Sequence, residues 1–181
     1  MERFIDSLSH FLKELQELVS TVINALETDD ELGTVLRFHW LIEAMLVEYL
    51  KEKRRGDIGR IVREPRDFGM KLALSAAFGM PLPIAKVIYQ INLIRNKIAH
   101  SKSTCIENGD LKELVRLVNK LEGLGVMFTP VQNRYLVMPI RNPGQKFMFG
   151  QHGNRIDFAI ACFGFYEVFI RWYPTESKKE T

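Results

Sequence analysis

Between Phe4 and Leu26 the apolar residues Phe4, Leu8, Phe11, Leu15, Leu18, Val22 and Leu26 return every three or four positions. That period gathers them on one side of a helix, so it predicts an amphipathic first helix ending near Leu26. Thr28 followed by Glu31 has the spacing of a capping box, in which each side chain takes up a backbone N–H, and predicts a second long helix reaching about Lys53. Gly56 and Gly59 predict a loop. A third helix is expected over Asp67 to Phe78, closed by Gly79, Pro81 and Pro83, and a fourth from Ile84 to about His100. Asp110 with Glu113 predicts the cap of a fifth helix that stops at Gly123 and Gly125. From Val126 to Gly153 the helical period is lost, and Tyr135-Leu-Val-Met138, flanked by Asn133, Pro139 and Pro143, reads as a small strand or hairpin. The last predicted helix is Arg155 to Trp172, stopped by Pro174, with Glu176 to Thr181 as a frayed tail. The pattern predicts a mainly all-α fold: one helical domain over residues 1–174, a hairpin insertion at 126–153 before the last helix, and a disordered tail at 175–181.

The fourth helix carries two stripes. Val87, Ile91, Ile94 and Ile98 share one side, and Tyr89, Leu93, Asn96 and His100 repeat the same spacing on roughly the opposite side. A surface helix needs one apolar face for its own core. The second stripe mixes Tyr and Leu with Asn and His, as expected of a seam against another helix or a second subunit, which makes Tyr89 and Leu93 candidate dimer-seam residues. Arg95 lies on the shoulder between the stripes, and its long side chain could reach round towards His100. On the second helix Leu36, His39, Glu43, Leu46 and Leu50 share a side. A carboxylate on such a stripe needs a partner, and the structural reading pairs Glu43 with His39 or with an arginine such as Arg95. The functional reading has Glu43 position Arg95 for catalysis.

Composition narrows the class. A chain of 181 residues, 46% apolar and 26% charged, can bury a sizeable core as one soluble domain. A net charge of +3 is too small to point to nucleic acid by itself. The basic residues cluster, however: Lys51, Lys53, Arg54, Arg55, Arg60, Arg63 and Arg66 face only Glu52, Asp57 and Glu64, a local excess of +4. Such a segment could track a phosphate backbone of RNA or DNA, or could be a solvated loop whose first charges complement the dipole of the second helix. Lys146-Phe-Met-Phe149 beside Gln151 and His152 offers either aromatic stacking for single-stranded bases or core packing for the hairpin. Cys105 and Cys162 show neither zinc nor disulfide spacing, so both are expected as reduced thiols. No export or membrane signal is visible, and a cytoplasmic location is expected.

Arg95-Asn96-Lys97-Ile98-Ala99-His100 has the form R-N-x-x-x-H. It resembles the signature of the HEPN superfamily, small helical domains of which many members cut RNA without a metal and others only bind or scaffold. The resemblance implies an antiparallel helical bundle, a site built from Arg95, Asn96 and His100, and two copies meeting at a dimer seam to complete the chemistry. It also implies a toxin or defence effector, with an antitoxin or regulatory protein as partner. The residues alone suit that chemistry: a histidine titrating near neutrality can move protons and an arginine can hold a phosphate through two N–H groups. They equally suit a helix end in which Asn96 and His100 bond loop carbonyls and Ser101 and Ser103 complete a turn. From about Leu36 to Ser101, Leu41-Ile-Glu43, Phe68, Lys71, Leu72, Gly79 and the arginine-asparagine run are also similar to the mannitol operon repressor family, which implies a transcriptional regulator or a non-catalytic dimerisation scaffold instead. No phosphate-cradling glycine loop, metalloprotease helix or nucleophile elbow is present, so no cofactor and no metal is expected.

Overall fold

The computed structural model describes residues 2–100 and 105–177, and side chains from Lys13 to Thr175 apart from Glu14 and the intervening gap. The described chain forms α1 (Glu2–Leu26), α2 (Glu31–Lys53), α3 (Asp57–Ile61), α4 (Phe68–Ala77), α5 (Leu82–His100), α6 (Asn108–Asn119), β1 (Tyr135–Met138), β2 (Asn142–Met148) and α7 (Asn154–Ser177). Two short 3-10 turns, Lys120–Leu124 and Val131–Asn133, join α6 to the hairpin. The architecture is the expected one, mainly helical with a two-stranded antiparallel hairpin before the final helix.

Two helices form the centre. On α2, Val35, Phe38, Leu41, Ile42, Met45, Leu46, Tyr49 and Leu50 are all at most 2% exposed, more than one face can supply. A helix buried on several sides has no simple amphipathic stripe, and α2 packs on α1, α4, α5 and α7. The other is α7, where the run from Ile156 to Cys162 is buried and Phe165, Phe169, Trp172 and Tyr173 stack with one another and with Tyr49.

Helix ends depart from the sequence reading in instructive ways. The cap of α2 is Asp30, whose Oδ1 accepts the Gly33 N–H at 2.8 Å, whereas Thr28 closes α1 by donating to the Ala25 carbonyl at 2.7 Å. Glu31 is thereby free of capping, and its carboxylate accepts the N–H of Ile106 instead. Likewise α6 starts after Glu107, so Asp110 lies inside its first turn and holds Lys97 at 2.7 Å, while Glu113 holds Arg116. The segment read as a loop at Gly56 and Gly59 contains α3, entered through Gly56 at φ +67, a conformation that favours glycine. The last helix also overruns its expected stop. Pro174 lies inside α7, where it removes one N–H near the C-terminal end, and Thr175 Oγ1 donates to the Trp172 carbonyl at 2.6 Å. Residues 175–177 are therefore helical rather than tail.

The hairpin is fastened at both ends. Arg134 donates to Glu167 of α7 at 2.9 Å and to the Thr129 carbonyl at 2.8 Å, lying over Gly164, where an added Cβ would sit 3.1 Å from its Nε. At the turn, the N–H groups of Ile140 and Arg141 reach the Glu27 carboxylate at 2.9 and 2.8 Å, and Arg141 meets Asp29 at 2.9 Å. Pro143, expected to flank the hairpin, lies within β2; in a two-stranded sheet both strands are edges, so a missing N–H is tolerated.

Candidate functional site

On α5 both stripes are realised. Val87, Ile91, Ile94 and Ile98 are at most 4% exposed, whereas Tyr89 is 55% exposed, Leu93 and Asn96 are half-buried and His100 is exposed. The helix thus turns one side fully to the core, while among the described residues the motif side is only partly covered, with Tyr89 and His100 exposed.

Six charged or polar side chains, Arg95, Asn96, His39, Asn92, Glu43 and Lys71, gather along the α2–α4–α5 junction. Arg95 donates from Nη1 to Asn96 Oδ1 at 2.9 Å, and its Nε, fully enclosed, has no hydrogen-bond partner among the described residues. An enclosed guanidinium N–H without an acceptor is costly, so this side chain is held where an acceptor is wanted. His39, 5% exposed, bonds from Nε2 to Asn92 Oδ1 at 3.2 Å and lies against the Phe68 ring at 4.2 Å. Burial lowers the pKa of His39, the Asn92 bond raises it, the nearby positive charge of Arg95 lowers it and Glu43 raises it; the net direction is down. His39, with its affinity for a proton lowered below the ordinary value, is accordingly a neutral imidazole at pH 7.

Glu43 does not pair with His39 or Arg95. Its Oε1 accepts from Lys71 Nζ at 2.6 Å, and the Lys71 side chain is 10% exposed against 30% for Glu43. The reason lies on α4: Lys71 is the one charged residue of a ten-residue helix, turned towards α2, and a nearly buried ammonium takes the nearest carboxylate. Lys71 and Asn92 were not read from the sequence as members of this junction, although a single lysine on an otherwise apolar helix is a visible signal. His100, the last residue of α5, makes no hydrogen bond to any described residue. Ser101 and Ser103, the expected turn, lie outside the described residues.

The basic segment is partly neutralised. Arg55 meets Glu52 at 2.5 Å, Arg60 meets Asp57 at 3.0 Å and Arg54 meets Glu64 at 3.5 Å, so each local acid holds an arginine. Arg54 is further tied to the Val62 carbonyl at 2.7 Å. Lys51 meets Glu48 at 3.6 Å and Lys53 lies 5.5 Å from the Tyr49 ring centre. Arg63 and Arg66 are exposed and form no ion pair among the described residues. Within the segment Glu52, Asp57 and Glu64 are thus each ion-paired, while Arg63 and Arg66 are left exposed.

Phe147 is buried against the His152 ring, so it packs the hairpin, while Phe149 is half-buried. Cys162 is buried and its thiol is pushed well up by desolvation; Cys105 is exposed and both are free. Among the described residues no group of His, Cys, Asp and Glu side chains could hold a metal ion, and no helix is long and apolar enough to cross a membrane. No family model, curated protein or solved structure matches this chain.

Proposed function

We propose that the chain is a metal-independent endoribonuclease of the HEPN kind, acting as a homodimer through Arg95, Asn96 and His100. The observation that carries this reading is the enclosed Nε of Arg95, which meets no acceptor among the described residues, on the same helix end as an exposed imidazole. In the reaction, a neutral His100 takes the proton of the 2′-hydroxyl as O2′ attacks phosphorus. The P–O5′ bond breaks, and the protonated His100 of a second copy delivers the proton to the departing 5′-oxygen. Arg95 neutralises the phosphorane, its fork fixed by Asn96 Oδ1. The products are a 2′,3′-cyclic phosphate and a free 5′-hydroxyl, with atoms and protons balanced. Tyr89 and Leu93 form the seam that brings two imidazoles together. Glu43, ion-paired with Lys71 and not with Arg95, contributes to the charge around the junction as a positioning residue. Arg63 and Arg66, with Lys51 and Lys53, meet the flanking phosphates. As a toxin or defence effector in the cytoplasm, such a protein is held in check by an antitoxin that covers the same helix face.

The internal neutralisation of the basic segment favours a second reading, a regulator of the mannitol operon repressor type or a dimerisation scaffold that uses these helices without chemistry. Labelled RNA incubated with the pure protein in EDTA separates the two. The nuclease reading expects fragments with cyclic phosphate ends; intact RNA contradicts it and leaves the regulator or scaffold.

A further inference from the structure

A cavity of about 660 Å³ opens between α6, the end of the hairpin and the start of α7, and none of its lining belongs to α2, α4 or α5. Its volume is that of a site for a small organic ligand. Leu111 and Val115, each 6% exposed, and the half-buried ring of Phe149 give it apolar walls. Amides close both ends: Asn119 donates to Gln132 at 3.0 Å at one, and Asn154 donates to Asn108 at 2.7 Å at the other. In the wall between them Asp157, 7% exposed, uses Oδ1 to accept the Gly150 N–H at 2.7 Å. Its Oδ2 accepts no hydrogen bond from a described residue.

The rim is cationic. Lys112 and Arg116 on α6 and Lys120 just past its end follow one another at four-residue spacing, on the side that lines the cavity. Arg116 is occupied by Glu113 at 2.5 Å, whereas Lys112 and Lys120 are exposed and form no ion pair among the described residues. The amides already bond one another, but an aliphatic ligand would make no use of the Gln132 N–H groups or of Asp157 Oδ2, and an uncharged sugar would make no use of the lysines. A planar ring with hydrogen-bonding edges and an attached phosphate uses all of them.

We propose that this cavity is a binding site for a nucleoside monophosphate. The base lies against Phe149 with its edge towards Asp157 Oδ2 and the free N–H groups of Gln132, and Lys112 and Lys120 hold the phosphate. The site is independent of the nuclease reading, because it shares no residue with the Arg95 junction.

Isothermal titration of the full chain with GMP, AMP, guanosine and inorganic phosphate tests it. One mononucleotide should bind per chain with Kd below about 1 mM, and the matching nucleoside and phosphate alone should each bind at least about tenfold more weakly, as expected when separate parts of a ligand contribute separately. Lys112→Glu with Lys120→Glu, both at exposed positions that leave the fold intact, should weaken the nucleotide about tenfold or more, and Gln132→Ala should weaken it too. His100→Ala should leave it unchanged. The proposal is overturned by the absence of saturable nucleotide binding at millimolar concentration, by phosphate binding as tightly as nucleotide, or by binding that survives the double lysine variant and disappears in His100→Ala.

Discussion

Lys71 and Glu43 meet at 2.6 Å with little water around the lysine, so removing one charge strands the other. Glu43→Gln should lower stability by about 1–3 kcal/mol, read as a shift of several degrees in the thermal midpoint. Adding Lys71→Met should recover most of that loss, since an apolar pair needs no compensation; if the double variant melts below the single one, the pair is not the cause. His39 gives a pH signature. Its folded pKa lies below the ordinary 6.5, so the unfolded chain takes up a proton that the folded chain refuses as pH falls through that value. The contribution is complete above 6.5 and is lost on acidification. Melting midpoints should fall between about pH 7.5 and about pH 5.5 more steeply in the native chain than in His39→Gln, and equal slopes would remove His39 from the account. The need of Glu43 for a partner was legible from its apolar stripe. The partner was not, because it comes from α4, 28 positions away, and sequence spacing says nothing about which faces of two helices meet.

At the level of elements, α5 shows how far periodicity reaches. Its two stripes were legible because a helix that is half core and half surface must separate its residues by angle. Ile94→Ala, at 1% exposure, should cost about 2–5 kcal/mol, and Tyr89→Ala, at 55%, about 0.5 kcal/mol or less in the monomer, both by chemical denaturation. The capping residues were misread at α2 and α6 for one reason. In each case several polar residues lie close together, Thr28 to Glu31 and Glu107, Asn108 and Asp110, and which of them stands at the helix start depends on where neighbouring chain pulls it. The Ile106 N–H, arriving from the α5–α6 connection, recruits Glu31, and Lys97 recruits Asp110. Neither competitor is local in sequence.

For the whole molecule, α2 and α7 hold the core and α5 carries the exposed motif side. Tyr89→Glu with Leu93→Glu should abolish dimers in sedimentation velocity at only a modest cost to the melting midpoint of the monomer, because Tyr89 is exposed and Leu93 half-buried, whereas charge is not tolerated across an apolar seam. A dimer unaffected by this pair of substitutions places the seam elsewhere. The mainly helical architecture and its single hairpin were legible from period and turn residues. The cavity beside α6 was not, because it is made by four stretches of chain from Asn108 to Asp157 whose meeting depends on how Arg134, Glu27 and Asp29 fasten the hairpin. The central claim concerns the imidazole at the end of α5. The most direct measurement is the rate at which native protein and His100→Ala, matched in melting midpoint, cut one labelled RNA in EDTA. A fall of about a hundredfold or more in the variant, with cyclic phosphate ends in the native reaction, is the predicted result. Equal rates, or no cutting by either protein, would contradict it.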